Sequence, residues 1–112
     1  MPRAHRLTRT LELRRVMTTG RRRRLAHLDV LWIDNAAGHP RMGVIVPRFR
    51  STAVARNRLR RRIREAWRRD IQAGLPPLDV VVRARREAYD ARYAELLAEL
   101  RSWRAGVGVE AA

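Results

Sequence analysis

The chain contains no cysteine and no lysine, and these two absences narrow its chemistry before any motif is considered. Without cysteine there is no disulfide, no thiol nucleophile and no sulfur ligand for a metal. No apolar run approaches the roughly 20 residues that a membrane-spanning helix requires. Residues 1–10 also lack the apolar core of a secretory signal, so the cytoplasm is the expected compartment and no membrane partner is expected.

The missing lysine makes all 26 basic side chains arginines, and with 11 acidic residues the net charge is +15. Residues 1–24 hold nine arginines against one glutamate, and residues 56–71 hold eight arginines against two acids. Residues 72–112, in contrast, hold six charges of each sign. Such concentrated positive charge opposes compact folding unless a polyanion neutralises it. Guanidinium groups bind phosphates in a bidentate manner, so a nucleic acid is the expected partner.

Hydrophobic periodicity predicts a single domain over residues 1–104, followed by a disordered tail, residues 105–112. The four arginines at 21–24 are predicted to form a basic loop, and the first two strands are predicted to form a hairpin. The order α-β-β-α-β-α is typical of the α+β class, here a two-layer α-β sandwich with helices packed on a small sheet. The predicted helices cover residues 8–19, 53–73 and 90–104, and the predicted strands cover residues 28–33, 42–46 and 78–84.

The central helix has one apolar stripe and a broad cationic surface. On a helical wheel Leu59, Ile63 and Trp67 cluster on the side that packs against the sheet. Arginines four residues apart repel each other, and Glu65 offers them little compensation. The residues on and beside the cationic surface are Arg56, Asn57, Arg58, Arg60, Arg61, Arg62, Arg64, Arg68 and Arg69.

Two ordinary explanations of this helix are disfavoured. A merely solvated helix is expected to alternate charges of opposite sign, which this one does not do. A membrane-surface helix needs a free apolar face, whereas this apolar stripe is required to cover the sheet. Phosphate binding is therefore favoured, and the charge does not choose between DNA and RNA.

No catalytic constellation is visible among the titratable residues. No carboxylate cluster suits two-metal chemistry and no nucleophile stands beside a base, so the chain is expected to be neither catalytic nor metal-binding by itself. Three histidines are scattered without ligand spacing: His5, His27 and His39. Four aspartates stand singly at predicted element ends, as in caps and turns: Asp34, Asp70, Asp79 and Asp90.

The stretch ARNRLRRRIREAWR, residues 55–68, resembles the signature helix of the bacterial ribonuclease P protein component, in which an Arg-Asn-Arg triplet opens a basic helix. Residues 5–24 resemble the family's first helix and its glycine stop, and residues 39–49 its second strand and following basic turn. Residues 75–85 and the helix after them resemble its C-terminal half, so the likeness spans residues 5–104. It implies a left-handed βαβ crossover (the ribosomal protein S5 domain 2-like fold), against the general right-handed rule.

The resemblance also implies a function. The ribonuclease P holoenzyme is an endoribonuclease that removes the 5′ leader of precursor tRNA and leaves a 5′-phosphomonoester, with catalysis by Mg²⁺ held mainly by the RNA subunit. The protein is expected to bind that RNA and precursor tRNA, with no obligatory protein partner. The positions that match the signature, and Arg68 from the same face, are expected to bind RNA: Arg56, Asn57, Arg58, Arg60, Arg61, Arg64 and Arg68.

The family's central cleft, between the first helix and the sheet, is expected to hold the single-stranded leader. Leu13 and Met17 stand where phenylalanine is usual, and plain core packing explains them equally well. Stacking on bases is then expected from Trp32, Arg48 or Phe49, although Trp32 also fits the core. Phosphate contacts are expected from Arg21, Arg22, Arg23 and Arg24.

Two other classes of function stay open at this point. One is a ribosomal or other structural RNA-binding protein that has no role in cleavage. The other is a DNA-binding protein with the basic helix in the major groove, although nothing in the sequence resembles a helix-turn-helix.

Overall fold

The computed structural model describes residues 3–107 and contains one four-stranded sheet with helices packed on both faces. The α+β class and the α-β sandwich are confirmed. The helices are α1 (Thr10–Thr19), α2 (Ala53–Ala66) and α3 (Tyr93–Gly106). The strands are β1 (Arg21–Arg24), β2 (Leu28–Asp34), β3 (Arg41–Ile45) and β4 (Leu78–Ala84).

The strand order in the sheet is β1-β2-β4-β3. β2 pairs antiparallel with both β1 and β4, whereas β3 pairs parallel with β4. The predicted hairpin between the strands at 28–33 and 42–46 is therefore wrong. β4 lies between them because its run of valines, buried on both faces, suits the centre of a sheet. β3, α2 and β4 form the expected βαβ unit, and the hand of its crossover stays a prediction.

The four arginines at 21–24 form an edge strand, so the loop prediction is wrong. Arg21 pairs with Trp32 and Arg24 pairs with Asp29, and this pairing satisfies backbone groups that a loop would leave to water. Four identical residues carry no periodicity, and a tertiary contact with β2 decides their conformation.

The larger core lies between the sheet and the layer formed by α2 and α3. Trp103 packs against Trp67 with 5.7 Å between ring centroids and against Trp32 with 5.6 Å. On the other face α1 buries Val16 against Leu31 and Val81. α1 thus adds a partial cover beyond the two layers that the sequence predicts.

All three predicted helices have different bounds in the structure, and the first, predicted from residue 8, begins at Thr10. The predicted helix 53–73 is α2 followed by a wider, π-helical turn, Trp67–Ile71, in which the Gln72 N–H donates to the Trp67 carbonyl over 2.9 Å. This turn lets both Trp67 and Ile71 reach the core.

The predicted helix 90–104 is α3, which begins three residues later, at Tyr93, after a 3-10 turn, Arg86–Asp90. α3 continues two residues into the predicted tail, whose residues 108–112 lie outside the described part of the chain. Among residues 3–107, no helix has the length and hydropathy needed to cross a bilayer.

Candidate nucleic-acid interface

The cationic face of α2 forms a shallow groove of about 490 Å³ on the side away from the core. The helix begins at Ala53 because the Thr52 side chain accepts a hydrogen bond from the Ala55 N–H over 3.0 Å. Leu59 and Ile63 are buried against the sheet, which fixes the rotation of the helix. Five of the seven predicted RNA-binding residues line the groove: Asn57, Arg60, Arg61, Arg64 and Arg68.

Asn57 positions one of these arginines. Its Oδ1 accepts a hydrogen bond from Arg60 Nη1 over 3.0 Å, one turn further along the helix. The bond restricts a long, flexible side chain, so less rotamer entropy is lost when Arg60 meets a phosphate. The sequence singled out Asn57 but gave no indication of this contact.

Arg56 and Arg58 lie outside the groove. Arg56 Nη1 donates to the Ser51 carbonyl over 3.4 Å, which ties it to the turn before α2. Arg58 is exposed on the flank of the helix. The predicted set is therefore split into a central group of five and two residues at its margin.

The far end of the groove is partly neutralised by Glu65. Its Oε1 accepts hydrogen bonds from Arg68 Nη2 over 2.7 Å and from Arg69 Nε over 2.8 Å. The hydrogen bond from Arg68 is the main reason that the pKa of Glu65 lies below its ordinary value. Within the described residues no carboxylate pairs with the other three arginines of the groove: Arg60, Arg61 and Arg64.

Arg64 is the most crowded cation of the groove. Burial lowers its pKa, and the charges of Arg60 and Arg6 lower it further, yet a guanidinium stays protonated at neutral pH. Arg6 comes near because the N-terminal segment runs beside β3, where Arg6 bridges to Met42. Phosphate oxygens would relieve this repulsion. The sequence gave no sign that Arg6 belongs beside α2.

The residues predicted for a leader cleft lie in three different places. Leu13 and Met17 pack, half-buried, against the cluster under α1. Trp32 packs on the opposite face of the sheet, beside Trp103, so the sheet separates it from the other two. Arg48 and Phe49 belong to the turn between β3 and α2 and are exposed.

A second groove, of about 320 Å³, opens on the α1 side of the sheet where α1 no longer covers it. Leu31 and Val81 lie under α1. Asp29 and Arg83 lie on the same face, two positions away along β2 and β4, and are register partners. Phe49 closes one side. Five arginines line the groove: Arg22, Arg24, Arg83, Arg85 and Arg86.

Phe49 is held at this groove by an unusual turn. Phe49 and Arg50 have φ values of 41° and 61°, in the left-handed region that non-glycine residues rarely adopt. The Ser51 N–H donates to the Arg48 carbonyl over 2.7 Å and closes the turn. The Arg86 guanidinium lies 5.5 Å from the centre of the Phe49 ring, within cation–π range. Strain of this kind is concentrated at functional sites.

The arginines of β1 alternate between the two faces of the sheet. Arg22 and Arg24 face the second groove, where each lies 3.6 Å from a carboxylate oxygen of Asp29. Arg23 points the other way and donates to the Ser102 carbonyl and hydroxyl of α3 over 2.8 and 2.9 Å. Arg21 pairs with Trp32 and lies on that same side. The predicted phosphate contacts are thus divided, and Arg23 has a structural role.

Other titratable groups hold the fold together. The buried Asp79 accepts hydrogen bonds from Arg41 Nε and Nη2 over 2.8 and 2.7 Å, which raise the pKa of Arg41. Asp79 is therefore part of a buried ion pair, not the cap or turn residue that the sequence suggested. The Glu99 carboxylate accepts a hydrogen bond from the backbone N–H of His27 and pairs with Nδ1 of the His27 ring. Among residues 3–107, no three His, Cys, Asp or Glu side chains converge as metal ligands.

The sequence matches one family over almost its entire length. Residues 1–106 match the family model described as ribonuclease P. The chain is 40% identical over 100 residues to the ribonuclease P protein component of Methylococcus capsulatus, a match that spans 88% of this chain and 77% of that protein. It is 41% identical over 71 residues to the same component of Vibrio campbellii, spanning 62% of this chain and 59% of that protein.

The fold has close counterparts among solved structures. The RNase P protein of Staphylococcus aureus superposes with a TM-score of 0.83 at 24% identity, covering 94% of this chain and 96% of that one. The RNase P protein of Thermotoga maritima gives a TM-score of 0.78 at 23% identity, covering 87% and 94%. These likenesses show a shared fold.

Proposed function

Because the chain belongs to the ribonuclease P protein family, we propose that it binds the RNA subunit of ribonuclease P and the 5′ leader of precursor tRNA, and thereby promotes endonucleolytic removal of the leader. One observation carries the proposal: Arg60, Arg61 and Arg64 share a groove with Asn57 and have no paired carboxylate among the described residues. Such a surface is costly in a free protein and favourable on a polyphosphate.

The two grooves suit different RNA partners. The α2 groove lies on a rigid helix and offers a broad row of guanidinium groups, which fits the backbone of a large folded RNA. The second groove is smaller and combines arginines with the exposed ring of Phe49, which fits an unpaired strand whose bases can stack. We therefore assign the RNA subunit to the α2 groove and the leader to the second groove.

We assign the chemical step to the RNA subunit, whose bound Mg²⁺ would supply an activated water for a hydrolysis that leaves the 5′-phosphate on the tRNA. The described residues do not fit a protein-held ion, since no three of their candidate ligands converge. The contribution of this chain is then binding: its arginines neutralise phosphates of both RNAs. The cytoplasm, where tRNA precursors are made, is the proposed site of action, and no obligatory protein partner is proposed.

Cleavage of a 5′-extended precursor tRNA tests the proposal directly. A bacterial ribonuclease P RNA is assayed at low Mg²⁺ concentration with and without the protein. We expect the protein alone to be inactive and the mixture to cleave faster than the RNA alone. Binding of both RNAs without any change in the cleavage rate would instead indicate a structural RNA-binding protein.

A further inference from the structure

Asp29 is a buried carboxylate in a groove of arginines. It is 4% exposed, and its Oδ1 accepts no hydrogen bond from any described residue. Arg24 Nε lies 3.6 Å from Oδ1 and Arg22 Nη2 lies 3.6 Å from Oδ2. These separations exceed the 2.7–2.9 Å that is usual for a hydrogen bond between guanidinium and carboxylate. Asp29 is thus surrounded by positive charge without being fixed to any of it.

This arrangement calls for an explanation because buried polar atoms nearly always accept or donate a hydrogen bond. A β-branched residue would suit a strand position next to Val30 and Leu31 better than aspartate does. The side chains of Arg22 and Arg24 are 57% and 68% exposed, so both can turn outward to a phosphate. When they do, the carboxylate becomes open to the groove.

We propose that Asp29 is a specificity-determining residue that recognises the Watson–Crick edge of a guanine in the leader. This inference rests on the proposed function, which brings a single-stranded RNA into this groove. Guanine presents two adjacent donors, N1–H and N2–H, which the two oxygens of one carboxylate accept together. Uracil presents one N–H between two carbonyl oxygens, and the carboxylate repels both carbonyls.

Four of the other lining residues suit the remaining parts of a nucleotide, and Glu87, the second carboxylate of the groove, pairs with Arg85 over 3.5 Å. The Phe49 ring is exposed and offers a surface for base stacking. Arg22 and Arg24 are placed to leave Asp29 and bind phosphate oxygens instead. Arg83, the register partner of Asp29 on β4, adds a third cation on the same face. The groove therefore holds an acceptor for the base edge, a ring for stacking and cations for the backbone.

The test uses the holoenzyme formed from this chain and a bacterial ribonuclease P RNA. Precursor tRNAs carry all-uridine leaders in which a single guanosine is moved from position to position. The Kd of the holoenzyme is measured for each substrate. At one position we expect guanosine to bind roughly 5- to 100-fold more tightly than uridine, the range for a bidentate side-chain contact to a base. In Asp29→Asn this ratio should fall to about twofold or less, because the amide offers one acceptor in place of two.

The controls separate recognition from charge and from folding. Asp70→Asn raises the net charge of the protein by the same amount as Asp29→Asn does, but outside the groove, beside Arg101. This variant should retain the guanosine preference. Inosine at the preferred position lacks the N2 amino group and should lose most of the advantage with the unaltered protein. The inosine result remains decisive if Asp29→Asn does not fold, which thermal unfolding will show.

Two results would overturn the assignment of Asp29: equal affinity for guanosine and uridine at every position, or a guanosine preference that survives in Asp29→Asn. Either can occur while the protein still accelerates cleavage, and then the proposed function stands. If the protein accelerates cleavage of no precursor, it is the proposed function that fails.

Discussion

The Tyr89 hydroxyl donates a hydrogen bond to the Pro47 carbonyl over 2.7 Å and so ties the turn before α2 to the 3-10 turn after β4. The same hydroxyl lies 2.9 Å from the Ser51 hydroxyl oxygen, and the Tyr89 ring meets Phe49 edge-on with 6.5 Å between centroids. Tyr89 thus holds the left-handed turn that presents Phe49 to the second groove. The sequence gave no indication of this role for Tyr89.

Tyr89→Phe should weaken leader binding more than binding of the RNA subunit, because it loosens the turn and leaves the α2 groove intact. The lost hydrogen bonds should reduce the free energy of unfolding by about 1 kcal/mol. Tyr93→Phe is the matched control, since the Tyr93 hydroxyl is buried without a hydrogen-bond partner among the described residues. Denaturant titration measures the stability of each variant, and the Kd values for the leader and for the RNA subunit measure binding. Equal effects of the two variants would contradict the role given to Tyr89.

Arg60→Ala and Arg64→Ala should each weaken binding of the RNA subunit and reduce the slope of log K against log salt by about one unit. The reason is that each guanidinium neutralises about one phosphate. Arg101→Ala, on α3 beside Asp70, is the control and should leave the slope unchanged. Filter binding from low to moderate salt measures the slopes. If the slope were unchanged for both groove variants, α2 would be excluded as the binding site of the RNA subunit.

Asn57→Ala should lower the affinity for the RNA subunit several-fold while changing the salt slope little. The substitution removes no charge but frees Arg60 from the hydrogen bond that positions it. The same salt titration distinguishes this from the loss of an arginine. A change of a full unit in the slope would show that the Arg60 contact depends wholly on Asn57.

Trp103→Ala should reduce the free energy of unfolding by about 3–5 kcal/mol, the range for deleting a buried aromatic side chain. Trp103 is fully buried and contacts the rings of both other tryptophans, one on β2 and one at the end of α2. Trp103→Phe keeps an aromatic contact and should reduce the free energy of unfolding clearly less than Trp103→Ala does. The indole N–H of Trp103 has no hydrogen-bond partner among the described residues, so the loss of stability in Trp103→Ala reflects packing alone. Thermal or denaturant unfolding of both variants gives the comparison.

Glu65 should titrate below the ordinary glutamate range, because the hydrogen bond from Arg68 and the nearby charge of Arg69 favour its ionised form. Its pKa is lower in the folded state than in the unfolded one. The stabilisation is therefore present above the unfolded pKa, roughly 4.3, and is lost as the pH falls through the folded value. Arg68→Gln should raise the pKa of Glu65 toward its ordinary value in an NMR titration. A titration midpoint that does not move would exclude Arg68 as the cause.

Part of this structure could be predicted from the sequence because the signal was local. The buried stripe of α2 follows from Leu59 and Ile63 at a helical spacing, and its cationic face follows from the scarcity of acids. The strand predicted at residues 78–84 is β4, whose continuous valines are typical of a strand covered on both faces. The resemblance carried by residues 55–68 pointed to the family that the comparisons confirm.

The rest depends on pairing between distant segments, which local patterns do not contain. β1 is a strand only because β2 lies beside it, and the groove at Asp29 exists only because β4 brings Arg83 opposite. Trp32 was ambiguous because alternation along a strand shows which residues share a face but not which face a helix covers. The wide turn at Trp67–Ile71 has no sequence signal that we recognise.

β1 ends the sheet with four consecutive arginines, and this has a consequence for how the protein behaves in a crowded solution. An unpaired strand edge is a template on which a second copy can add its own strand and begin an aggregate. Neighbouring strands lie about 4.8 Å apart, which is less than the Debye length of about 8 Å at physiological salt. Two such edges therefore repel each other at contact distance, and the arginines of β1 keep copies of the free protein from joining edge to edge.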